Sequence, residues 1–222
     1  MLLPALVPLY ATFMLVSLSG ALSPGPLTAM SISEGAREGR WAGTGLAIGH
    51  GLVEFPLVFA IAYGLGAWLR QPLVGGTIAL VGAVVLAWMG SGLLRAALRG
   101  QLTLAGAAAQ PAPAALRYGP VPGGVIFTVT NPYWSLWWAT LGAGYIARVV
   151  SISASPAAVG GLALSHWVTD LIWLGGLSFV VASGRNLIGE RGYRIVMIGC
   201  GGFLVAFAAF FGWTGFRALA GM

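Results

Sequence analysis

Long apolar stretches separated by short polar ones run the length of this chain, at 6–33, 42–69, 73–94, 120–147, 157–184 and 195–216. About 20 residues at 1.5 Å each cross the roughly 30 Å of bilayer hydrocarbon, so each stretch predicts a membrane helix. The expected fold is all-α and polytopic, with six transmembrane helices. Residues 1–22 lack the basic start of a secretory signal, and the apolar run continues beyond them, so a retained first helix is expected.

The connection Gly100–Gly119, GQLTLAGAAAQPAPAALRYG, is rich in Ala and Pro and divides the chain into 1–99 and 120–222. The halves share features. Ser23-Pro24-Gly25-Pro26 interrupts the first helix and Asn131-Pro132 the fourth; Trp88-Met89-Gly90 and Trp213-Thr214-Gly215 each precede a terminal arginine. Three helices per half carry the second half into the membrane from the opposite side, which makes the pattern a 3+3 inverted repeat, an arrangement of secondary transporters. Proline removes a backbone donor and clashes with the preceding turn, so helices one and four are expected to break. In lipid, the freed groups belong beside a cavity or a neighbouring helix. A half-helix starting at such a break presents N–H groups and a positive dipole end to an anion.

Composition agrees: 58% of residues are hydrophobic and 7% charged, and mean hydropathy is +0.89, whereas soluble domains carry roughly a quarter charged residues. The 35 glycines and 9 tryptophans suit close helix contacts and headgroup-level anchoring. A net charge of +6 comes from arginines that fall between apolar stretches, so they read as topology signals and not as a nucleic-acid surface. Arg37, Arg40, Arg95, Arg99, Arg117, Arg185, Arg191 and Arg194 lie on one side, and Arg70, Arg148 and Arg217 on the other. This bias puts both termini outside the cytoplasm and the 100–119 linker inside. Glu34, Arg37, Glu38 and Arg40 then read as a solvated cytoplasmic loop, with Glu190 similar. A lone Cys200 in an apolar run is expected to pack.

Against this background, LAIGHGLVEFP and LSHWVTDLIWL stand out, because each carries a histidine followed four residues later by a carboxylate: His50 with Glu54, His166 with Asp170. Residues at that spacing share a helix face. Even the most lenient insertion scale sets about 2.5–3.5 kcal/mol against a charged group such as Asp at the bilayer centre, so both pairs should face the bundle interior. Three roles fit: proton handling coupled to substrate movement, a four-ligand divalent-metal site between helices two and five, or structural bridges between helices. Tyr133, Trp134, Trp137 and Trp138 fit a substrate path, an interfacial belt or plain packing. Phosphate-binding loops, nucleophile elbows, CxxC and HExxH are absent from the sequence, so neither an enzyme nor an ATP-driven pump is expected, and no cofactor.

Ser23-Pro24-Gly25-Pro26, the spaced glycines Gly35, Gly39, Gly43, Gly45 and Gly49, and Asn131-Pro132 resemble the LysE/RhtB family of amino-acid exporters over nearly the whole chain. The resemblance implies a six-helix inner-membrane protein that exports amino acids with the proton motive force and forms a dimer. It carries Ser23, Pro24, Gly25, Pro26, Asn131 and Pro132 over as the two breaks. Tyr133 stands where the family usually has lysine, and the histidine-carboxylate pair in helix two is missing from many members. The expected partners are an amino-acid-like solute, protons and the lipid bilayer, with a divalent metal ion as the alternative cargo.

Overall fold

The computed structural model describes residues 3–22, 25–69, 71–103, 116–183 and 185–221. Helices dominate and no strand occurs among them: α1 Leu3–Ala21, α2 Pro26–Arg37, α3 Ala42–Ala60, α4 Pro72–Leu98, α5 Pro120–Val129, α6 Pro132–Trp137, α7 Ala143–Ile152, α8 Pro156–Ser183 and α9 Arg185–Ala220. Among the described residues, five helical stretches are long and apolar enough to cross a membrane: Pro4–Ala21, Ala42–Trp68, Pro72–Leu98, Pro156–Ser183 and Gly189–Ala220. The chain is therefore an all-α polytopic membrane protein. Across the predicted fourth span, α5, α6 and α7 follow one another in series.

Both expected interruptions occur. Pro26 opens α2 after an extended Gly25 (φ −134°, ψ −176°), and Pro132 opens α6 after Asn131 (φ −95°, ψ 100°). Proline is tolerated at a helix's first position because its missing N–H has no intrahelical acceptor there. The Asn131 side chain caps α6 by accepting from the Tyr133 backbone N–H at 3.1 Å. Ser23 and Pro24 lie outside the described residues. A π-helical turn, Trp138–Gly142, joins α6 to α7, and beyond α3 the chain kinks at Tyr63 and Gly64 (φ 151°, ψ −36°).

Helix α3 is wedged between α5 and α8, and α8 also packs on α1 and α2. Glycine permits this closeness. A Cβ on Gly49 would sit 2.0 Å from Val121 O, and one on Gly43 1.9 Å from Leu174 O, so backbone meets backbone on both sides of α3. Polar pins register α8: Tyr10 OH donates to Ala158 O at 2.7 Å, Trp167 Nε1 to Ala47 O at 2.7 Å, and Ser31 Oγ to Leu174 O at 2.5 Å. Helices α4 and α9 form a separate, extensively packed pair.

One expectation is corrected. Glu34 does not lie on a solvated loop, because α2 continues to Arg37 and turns Glu34 inward, leaving it 2% exposed. Its carboxylate is paired with Arg37 one turn on, which offsets the burial of the charge. Glu38, half exposed, meets the same guanidinium at 2.8 Å.

Candidate functional site

His50 and Glu54 project from one face of α3, and His166 and Asp170 from one face of α8, as the four-residue spacing requires. The packing of α3 on α8 turns these faces toward each other, and all four side chains are buried, Glu54 completely. His50 Nε2 lies 2.6 Å from Glu54 Oε2 and 3.6 Å from Asp170 Oδ2. His166 Nε2 lies 3.5 Å from Glu54 Oε2 and 3.2 Å from Asp170 Oδ2. Each carboxylate thus faces both imidazoles, its own helix's and the other's. One ligating atom from each residue lies within 4.8 Å of the others, so the group has the dimensions of a metal-ion site as well as of an ion-pair cluster.

Both imidazoles are held from behind. Thr128 Oγ1 lies 2.8 Å from His50 Nδ1, and Ser17 Oγ 2.7 Å from His166 Nδ1. Ser17 is on α1 and Thr128 on α5, the two helices that precede the breaks. Neither residue was singled out from sequence. The only signal they leave is a hydroxyl in an apolar helix, which most often bonds its own helix and does nothing more. Aromatic rings close the sides: Phe13, Trp137 and Trp138 surround His166 at centroid distances of 5.6, 4.7 and 4.9 Å.

A cavity opens on one side of the cluster. Its lining includes His50, His166 and Asp170 together with Gly25, Asn131, Tyr133, Trp134 and Trp137. The two helix breaks and three of the four cluster residues therefore share one space, with Glu54 set behind them. Of the aromatic run, Tyr133, Trp134 and Trp137 form the wall, and Trp138 is fully buried against the core. Two wall groups are tied to α1, Tyr133 OH donating to Ser19 O at 3.1 Å and Trp137 Nε1 to Ser19 Oγ at 3.3 Å. The buried Trp134 Nε1 has no hydrogen-bond partner among the described residues. Glu54 Oε1 and Oε2 and Asp170 Oδ2 are likewise buried without a hydrogen bond among the described residues, although Oε2 and Oδ2 lie close to imidazole nitrogens.

Such a site, in a polytopic helical membrane protein, has the parts of a carrier: a cavity at interrupted helices and a charged cluster kept from lipid. No curated protein and no solved structure matches the chain. The LysE type translocator family matches residues 18–215, a span that takes in both breaks and the whole cluster, and the chain belongs to that family.

Proposed function

We propose that this translocator is a secondary-active exporter of an amino acid or similar small zwitterion, coupled to protons and working by alternating access. The observation that carries the reading is the shared cavity, which joins both helix breaks to Asp170 and the two imidazoles. A zwitterion needs one end rich in donors and the other rich in negative charge. The α2 start at Gly25-Pro26 and the unpartnered Trp134 indole N–H supply the first, beside the break at Asn131-Pro132, whose leading N–H groups are already bonded to Asn131. Asp170 supplies the second. Tyr133, Trp134 and Trp137 offer an apolar and π-rich wall to the substrate side chain. Ser23 and Pro24 belong to the first break in this reading.

Protons follow from charge balance. Two carboxylates and two imidazoles share one buried cluster, and protons arriving from one side and leaving to the other change its charge as the substrate moves. Glu54, absent from the cavity lining, is the group assigned to the coupling proton, and Asp170 exchanges between proton and substrate ammonium. The moving parts are two inverted three-helix units, 1–99 and 120–222, joined by the 100–119 linker. In this reading the protein sits in the inner membrane as a homodimer, with both termini outside the cytoplasm.

The test is solute flux in proteoliposomes under an imposed pH gradient. Wild-type protein is expected to move an amino acid against its gradient, and Glu54→Gln and Asp170→Asn are each expected to abolish that movement. Undiminished gradient-driven flux in both variants would discard the coupling role.

A further inference from the structure

We infer that His50, Glu54, His166 and Asp170 form a binding site for one divalent first-row transition-metal ion, of the Zn(II) and Co(II) type, with Ser17 and Thr128 as positioning residues. The inference does not depend on the export reading; the ion would compete for Glu54 and Asp170 with the proton and ammonium that the reading assigns to them.

The first support is shape. Zn–N and Zn–O bonds of about 2.0–2.2 Å in a tetrahedron set ligand-to-ligand edges at about 3.3–3.6 Å. Of the four nitrogen–oxygen separations, 3.2, 3.5 and 3.6 Å lie within about 0.1 Å of that range. The fourth, 2.6 Å between His50 and Glu54 on one helix, must open, and the nitrogen–nitrogen and oxygen–oxygen separations, which lie within 4.8 Å, must close for the four atoms to complete a tetrahedron. Two nitrogens and two oxygens make a donor set of borderline hardness, which suits zinc, cobalt or nickel better than calcium, magnesium or Cu(I).

The second support is the state of the imidazoles. A hydroxyl has one proton to give. Thr128 gives its proton to Gly124 O at 2.7 Å, and Ser17 to Phe13 O at 2.7 Å. With its proton so placed, each hydroxyl accepts from the histidine beside it, an arrangement that favours hydrogen on Nδ1 of both His50 and His166. With hydrogen on Nδ1, the Nε2 that each ring turns toward the carboxylates is left to bind a proton or a metal ion. Metal-binding histidines are oriented in this way by a partner on the other ring nitrogen. The same hydroxyl partnership occurs twice, in the two halves of the chain.

The third support is the unmet demand at the centre. Glu54 Oε1 is buried without a hydrogen bond among the described residues, Glu54 Oε2 and Asp170 Oδ2 have imidazole nitrogens as close polar neighbours, and Glu54 is fully enclosed. A divalent cation cancels the charge of both carboxylates at once and uses both lone pairs. Because each helix contributes one imidazole and one carboxylate, the ion fastens α3 to α8.

The experiment uses purified full-length protein in detergent, freed of metal with a chelator and titrated with Co(II) and Zn(II) by calorimetry and visible absorption. One ion per chain is expected, with the intense visible bands of tetrahedral cobalt, bleached when zinc displaces it. His50→Ala with His166→Ala should abolish binding. Ser17→Ala and Thr128→Val should keep the stoichiometry and weaken affinity about 10–100-fold each, while Glu38→Gln, outside the cluster, should change nothing. Absence of saturable binding by the wild-type protein, or binding that survives loss of both histidines, would overturn the site. Unchanged affinity in both hydroxyl variants would overturn the positioning roles. No solute or gradient enters this measurement, so its failure leaves the export assay untouched, and the reverse holds too.

Discussion

Two helix pairs in this molecule solve the same packing problem with different chemistry. Helices α4 and α9 meet along their length through small residues: a Cβ on Gly90 would lie 2.7 Å from Leu204 Cβ, one on Gly201 2.7 Å from Leu94 N, and one on Gly215 2.9 Å from Gly76 O. Within that pair, residues 72–94 and 195–216 contain no charged residue. Helices α3 and α8 also touch backbone to backbone, at Gly43 against Leu174, yet their contact face buries two imidazoles and two carboxylates. Dispersion and fit hold the first pair, and neither depends on protonation state or bound ions. The second pair is held partly by groups whose charge changes with what they bind. The first contact is thus indifferent to what the protein binds, and the second is sensitive to it.

Substitutions can break or sharpen this contrast. The largest effect is expected at the cluster, where Glu54→Gln removes the most enclosed charge; pH-driven flux in liposomes should be lost, and the detergent melt should fall as both imidazoles lose a buried partner. Next, Gly43→Ala forces a methyl into the Leu174 carbonyl and should cost about 1–3 kcal/mol of stability, as overpacking does, together with most of the flux, checked by a detergent melt and the same assay. Gly90→Ala in the α4 and α9 pair should show a comparable loss of stability, while flux per folded molecule stays near wild type. Thr128→Val and Ser17→Ala leave the charges in place and release the rings behind them, so a several-fold drop in flux is expected with a near-normal melt. Smallest of all, Cys200→Ala exchanges one small buried side chain on α9 for another and should leave flux unchanged, read with the same liposomes.

Much of the site was legible before any coordinates. His50–Glu54 and His166–Asp170 were visible because a four-residue interval on a helix is a geometric statement, and because charge in an apolar span is too costly to be incidental. The breaks at Pro26 and Pro132 were visible because proline's missing donor acts locally. Ser17 and Thr128 were not, since their importance arises from residues 149 and 78 positions away. Glu34 was misread for a similar reason: its charge suggested a solvated loop, but burial depends on which way α2 faces after the break. The aromatic run at 133–138 divided into cavity wall and core, a division that helix rotation makes and composition does not.

Sequence alone determined that this chain spans a bilayer, where five of its spans run, where the chain breaks at Pro26 and Pro132, and which rare polar side chains share a helix face, because hydropathy, proline geometry and helical periodicity act over short stretches of chain. Tertiary structure alone decided that the two faces meet, that each carboxylate contacts both imidazoles, and that a hydroxyl stands behind each ring. Those outcomes follow from how closely glycine lets α3 approach α8 and α5, and contact between distant segments is a property of packing in three dimensions.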